Sequence, residues 1–129
     1  VPFVFDASNN CEVTGPGGLP LPVTGTVVIS GTTSTVASVP AQTAVGTASV
    51  VVLAANAARK ECIFVNTGTT IIYLGLGQTP TVTAYHIALL PCAVANDGSG
   101  GAFLSDMWKG AVNAIGSAVS GTLCITELT

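Results

Sequence analysis

The stretch Glu61-Cys62-Ile63-Phe64-Val65-Asn66-Thr67-Gly68-Thr69-Thr70-Ile71-Ile72-Tyr73-Leu74-Gly75-Leu76 decides the fold. Successive side chains of a strand point to opposite faces. Glu61–Asn66 therefore predicts a strand with Cys62 and Phe64 on one face and Ile63 and Val65 on the other. Residues 70–76 predict a second, with Ile72, Leu74 and Leu76 facing one way and Ile71 and Tyr73 the other. Between them, Asn66-Thr67-Gly68-Thr69 reads as a hairpin turn in which Gly68 supplies a positive φ.

Working outward, the same pattern recurs. Residues 49–54 form a continuous apolar run, which fits a strand covered on both faces. Residues 56–60 connect it to the next strand. Gly77-Gln78-Thr79-Pro80 is a breaker, residues 81–90 carry one or two strands ending at Pro91, and Asn96-Asp97-Gly98-Ser99-Gly100-Gly101 is a loop. Residues 111–115 and 122–128 read as the last strands. Roughly six to eight short strands, with turn signals about every 8–12 residues, predict an all-β fold: a β-sandwich or jelly-roll-like domain. A short helix fits 54–60 or 106–114, the second cut short by Gly110.

The N-terminal third differs. Pro2, Pro16, Pro20, Pro22 and Pro40 punctuate it, and residues 30–47 are rich in Ser, Thr, Gly and Ala. Leu19, Leu21, Val23, Val27 and Ile29 share one face at period two, but Pro20 and Pro22 cannot donate to a ladder, so the segment suits an edge strand or an extended arm. The division expected is an extended N-terminal arm and linker over residues 1–46 and a sandwich domain over 47–129.

Composition bounds the function. Charged residues make up 7% of the 129, against about 25% in ordinary globular domains. A lone soluble domain relies on charge to stay dispersed, so the deficit points to a subunit whose outside is covered by copies or partners. The net charge of −3 and the scatter of Arg59, Lys60 and Lys109 argue against nucleic acid. The longest apolar run, residues 50–55, is far short of the ~20 residues of a membrane-spanning helix. Asp6 and Glu12, with no basic stretch before an apolar run, do not read as a secretory leader.

Cys11, Cys62, Cys92 and Cys124 have long, irregular spacings and no Cys-x-x-Cys pair, which favours buried free thiols over disulfides. With His86 as the single histidine, no metal site is expected. No cofactor is expected either, because Gly75-Leu76-Gly77 lacks the third glycine and the following helix of a nucleotide-binding turn. His86 lies in a strand-like run with no nucleophile or orienting group in a recognisable frame. Asp97 before Gly98 reads as a turn residue rather than half of a carboxylate pair with Asp106. No catalytic set emerges, and the chain does not read as an enzyme.

Contact residues are the better reading. Pro2, Phe3 and Phe5 set two aromatics on one face of an extended segment, which suits strand addition to a neighbouring sheet edge. Leu19, Leu21 and Val23 extend that apolar arm, and Trp108 suits an interface or a lid over one end of the sandwich. These seven residues are the expected partner-binding set.

Val52-Leu53-Ala54-Ala55-Asn56-Ala57-Ala58-Arg59-Lys60, then Ile63-Phe64-Val65-Asn66, Ile72-Tyr73-Leu74-Gly75-Leu76-Gly77 and the final Thr126-Glu127-Leu128-Thr129 resemble a group of small tailed-bacteriophage virion proteins. Leu21-Pro22-Val23-Thr24-Gly25-Thr26-Val27 is similar to a segment that precedes that domain. The resemblance spans roughly residues 20–129 and implies a capsid decoration (cement) or head-fibre protein. Such a protein would be made in the host bacterial cytoplasm and placed on the capsid surface. Its partners would be the major capsid protein and itself, as a homotrimer. The resemblance supplies no catalytic residues. In the Asn56–Arg59 block, Asn56 suits its own loop backbone and a positive φ, and Arg59 suits a carboxylate or loop carbonyls. The four cysteines and the Phe-containing start depart from the group.

Two other functions follow from different premises. A tail or fibre component binding a host surface glycan needs aromatics and polar groups in a concave site, and one Trp and two Tyr supply few. A secreted, disulfide-stapled enzyme or inhibitor needs the cysteines paired.

Overall fold

A computed structural model describes the backbone of residues 3–5, 11–13 and 37–129, and the side chains of 37–129. The chain divides into two units, Val1–Gly31 and Thr32–Thr129. In the first, β1 (Phe3–Phe5) and β2 (Cys11–Val13) form an antiparallel two-stranded sheet with Phe3 opposite Val13 and Phe5 opposite Cys11.

The second unit holds eight strands: β3 (Ala41–Val45), β4 (Val50–Leu53), β5 (Glu61–Asn66), β6 (Ile72–Leu76), β7 (Ile87–Leu89), β8 (Ala102–Ser105), β9 (Val112–Gly116) and β10 (Gly121–Leu128). They build two four-stranded antiparallel sheets, ordered β3-β10-β5-β8 and β4-β9-β6-β7. This is a β-sandwich, and its strand order is that of an eight-stranded jelly roll. Among these eight, the β6–β7 pair is the single case of consecutive strands that are neighbours in one sheet. Every other connection passes from one sheet to the other.

Alternation builds the core. The inner faces contribute Val45, Cys62, Phe64, Leu123 and Ile125 from one sheet and Ile72, Leu74, Leu89, Val112 and Ala114 from the other. Burying an aliphatic or aromatic side chain is worth about 1.5–3 kcal/mol, so these positions hold the sheets together. Phe64 and Phe103, directly opposite on β5 and β8, stack with centroids 6.3 Å apart. A bulge between Val51 and Leu53 turns both Val52 and Leu53 onto the core.

Six expectations need correction. The Asn66–Thr69 turn is not a hairpin, because β5 and β6 lie in different sheets and the segment crosses between them. Gly68 is not among the positive-φ residues there. Its missing side chain matters through close approach: a Cβ would lie 2.9 Å from the Thr122 amide nitrogen. The sandwich also begins before residue 47. Residues 41–45, read as linker, form edge strand β3 paired with β10, and Ala37 adds an isolated bridge to Leu128. The signal was weak because Val45 is the one fully buried side chain of β3. The 49–54 run is an edge strand with Val51 63% exposed, not a strand covered on both faces. Finally, no helix occurs among the described residues, and His86 lies just before β7 rather than inside a strand.

Candidate functional site

Of the expected contact residues, Pro2, Leu19, Leu21 and Val23 lie outside the described residues. Phe3 and Phe5 are in β1, paired with β2. Trp108 lies in the β8–β9 connection, half-buried against the core. Its indole Nε1–H donates to the Ala111 carbonyl at 3.0 Å, and its ring covers Gly77 and Gly110. A Cβ on Gly110 would come within 2.6 Å of that ring. Gly77, at φ +67, has the left-handed backbone that glycine permits. Trp108 thus closes one end of the sandwich.

Beside it lies a polar clasp. Arg59 is 1% exposed. Its Nε donates to Glu127 Oε1 at 2.7 Å, and its Nη1 donates to the carbonyls of Trp108 at 3.2 Å and Gly110 at 2.9 Å. Nη2 donates to the Ala54 carbonyl. Asn56 Nδ2 donates to the same Glu127 oxygen at 3.1 Å, while its Oδ1 accepts from the Ala58 amide at 3.0 Å. Lys109 Nζ reaches the Ala57 and Arg59 carbonyls. The Asn56–Arg59 block therefore ties the 54–60 loop, the 106–111 loop and the end of β10 together. Its polar capacity is spent inside the fold. Asn56 makes the expected turn bond without a positive φ, which among the described non-glycine residues falls on Asn96 instead.

The opposite end is held by Asn66, fully buried at the end of β5. Its Nδ2 donates to the carbonyls of Thr70, Leu89 and Leu90 at 2.8–3.1 Å, and its Oδ1 accepts from Gly68. Cys92 Sγ donates to the Asn66 carbonyl at 3.3 Å, and Cys62 Sγ to that of Ser105 at 3.7 Å. Cys62, Cys92 and Cys124 are free thiols. Burial pushes the Cys62 thiol above its ordinary 9.0, partly offset by Arg59. Cys11 lies in β2. Asp97 is a turn residue, as its sequence setting predicts. Its carboxylate accepts from Val94 N, Ser99 N and Ser99 Oγ, which together lower its pKa to about 2. Among the described residues, no group of three or more His, Cys, Asp or Glu is placed to hold a metal ion.

Two surfaces remain with unspent capacity. The outer face of the β3-β10-β5-β8 sheet carries Ile63, Val65, Ala102, Leu104 and Cys124, with Thr122 and Thr126 among them. Thr126, Ile63 and Leu104 lie in one row and Cys124, Val65 and Ala102 in the next. Leu104 is 56% exposed. The one ionisable carboxylate on this face is Glu61, at its end beside Leu128. Alternation in β5 and β10 gives this face away in the sequence. The share of β8 was missed, because Ala102-Phe103-Leu104-Ser105 is short and follows the glycine loop.

The second surface is a groove of about 290 Å³ on the other sheet, lined by Gly75, Gln78, Thr79, Pro80, Tyr85 and His86 among others. Tyr85 leans on Tyr73, with ring centroids 4.7 Å apart. Gly75 is needed for closeness: a Cβ there would meet the Gln78 carbonyl at 2.2 Å. No sequence pattern announces this groove, since apart from Gly75 of β6 its walls come from the single β6–β7 connection, which carries no period.

Compared with known proteins, the chain matches no family model, no curated protein and no solved structure.

Proposed function

We propose that the chain is a structural virion protein of a tailed bacteriophage, which decorates and stabilises the capsid by associating with copies of itself and with the major capsid protein. The observation that carries this reading is the outer face of the β3-β10-β5-β8 sheet, where Ile63, Val65, Ala102 and the exposed Leu104 lie beside the neutral Gln42, Thr122 and Thr126, and Glu61 is the one carboxylate. Contiguous exposed apolar surface on a soluble protein marks a contact site. A chain with 7% charged residues has little else to keep such a face apart from its copies.

Supporting arguments come from architecture and sequence. Jelly rolls are used by viral capsid domains, an analogy at the level of fold alone. The resemblance of residues 52–77 and 126–129 to phage virion proteins points the same way. Among the described residues β1 and β2 pair with each other, and addition of a partner strand to such a pair would supply main-chain hydrogen bonds. Many repeated weak contacts on a lattice then give a strong total.

Counting copies in purified particles tests the reading. Mass spectrometry against the major capsid protein should find this chain in numbers comparable with capsomers and released with head fragments. A few copies per particle, or co-purification with tails, contradicts it.

A further inference from the structure

The groove beside Tyr85 is independent of the apolar face, and it is built differently. Its walls are fixed internally. Thr81 N donates to Ala84 O at 2.8 Å, and Thr81 Oγ1 accepts from Ala84 N at 2.9 Å, which locks the turn before Tyr85. His86 N donates to Leu74 O at 2.9 Å, and Asn113 Nδ2 holds the Gln78 carbonyl at 3.0 Å. Pro80 is buried against Gly75. A site held in shape before binding loses less ordering entropy on binding.

The groups it offers are neutral and mixed. Leu76 N–H donates to His86 Nδ1 at 3.0 Å, so the neutral ring carries its proton on Nε2, a free donor. The Gln78 amide and Thr79 hydroxyl take no part in the hydrogen bonds that build the groove and lie exposed on its rim. Tyr85, 47% exposed and backed by Tyr73, adds an aromatic ring with a hydroxyl at its tip. No charged side chain lines the groove, so it has no attraction for phosphate or carboxylate. A purely apolar occupant would make no use of the amide, hydroxyl and imidazole groups at the rim. A ligand with an apolar C–H face for the ring and hydroxyls that both donate and accept satisfies all of them.

We infer that this groove is a binding subsite for a single uncharged saccharide ring, stacked on Tyr85 and hydrogen-bonded by His86 Nε2–H, Gln78 and Thr79. The volume is near the lower end of small-molecule sites, about 300 Å³, which suits one ring rather than a long oligosaccharide. Neither the virion reading nor self-association is needed for this, so the two fail separately.

The test is an amide chemical-shift titration of the full chain with methyl glycosides of glucose, galactose, mannose, rhamnose and N-acetylglucosamine, with glucuronate as a charged comparison. At least one neutral glycoside should shift amides confined to residues 75–88. Tyr85→Ala should weaken that binding about tenfold, the loss of one ring contact. Gln78→Leu, an exposed change that leaves the internal bonds intact, should weaken it too and guards against misfolding of the first variant. No shift with any neutral glycoside, shifts elsewhere on the protein, binding unchanged in both variants, or tighter binding of glucuronate would each overturn the inference.

Discussion

Single residues at the ends of the sandwich carry more of the design than their size suggests. Asn66 is the clearest. Its amide donates to the Thr70, Leu89 and Leu90 carbonyls, while its own backbone carbonyl anchors Cys92. Asn66→Ala should cost about 3 kcal/mol, because buried acceptors lose their donor. Asn66→Asp should cost more, since a carboxylate would then face three carbonyl oxygens. Urea unfolding midpoints of the two variants check the order. Thr70 is the opposite case. Its Oγ1 is buried with no hydrogen-bond partner among the described residues, so Thr70→Val should hold or raise stability, by up to about 1 kcal/mol. Cys62 gives a pH signature. Its folded-state pKa is raised above 9.0, so the unfolded chain releases the thiol proton first. Stability should be unaffected by this group below pH 9 and fall as pH rises above it, until the folded thiol itself ionises. Thermal melts of Cys62→Ala and the parent between pH 8 and 10.5 should converge at the alkaline end if the sign is right.

At the scale of elements, the clasp around Arg59 joins two loops to β10. Arg59→Met should destabilise by about 3–5 kcal/mol, as for breaking a buried ion pair. Glu127→Gln should cost less, because the amide oxygen still accepts from Arg59 Nε. If both variants melt with the parent, the clasp is ornamental. The Asp97 turn has the reverse pH logic to Cys62. Its pKa is lowered to about 2, so its support of residues 94–99 is complete above the ordinary carboxylate value, 3.8, and is lost as pH falls toward 2. Hydrogen exchange of the Ser99 amide between pH 4 and 2 reports it. Elements were also where the sequence was most and least legible. Period-two alternation identified β5 and β6 and sorted their side chains into two faces, because burial on one side leaves that pattern. It could not say which strands pair. Residues 66–70 look the same whether the chain turns back in one sheet or crosses to the other, and the choice was made by Asn66 bonding to Leu89 and Leu90, remote in sequence. β3 and β8 were hidden because edge strands bury few side chains. The Tyr85 groove was hidden because loops carry no period, and the bonding of the Asn56–Arg59 block was legible because Asn suits its own loop backbone and Arg suits a carboxylate or loop carbonyls.

The second unit is a jelly roll with five core side chains from each sheet, in a chain of which 7% is charged. A surface with so few charges fits the proposed covering by copies or capsid subunits. Association through the Ile63–Leu104 face would be driven by removal of apolar surface from water, which salt does not screen. Raising salt should therefore preserve the assembly, where an assembly held by ion pairs would loosen. The most direct test is sedimentation of the full chain over a range of concentrations, with an Ile63→Glu/Leu104→Glu variant alongside. The account predicts that the parent sediments as a multiple of the 12.7 kDa chain, a trimer being expected. The variant should sediment as a folded monomer with an unchanged far-ultraviolet spectrum. A parent that stays monomeric at every concentration, or a variant that assembles as the parent does, would contradict it.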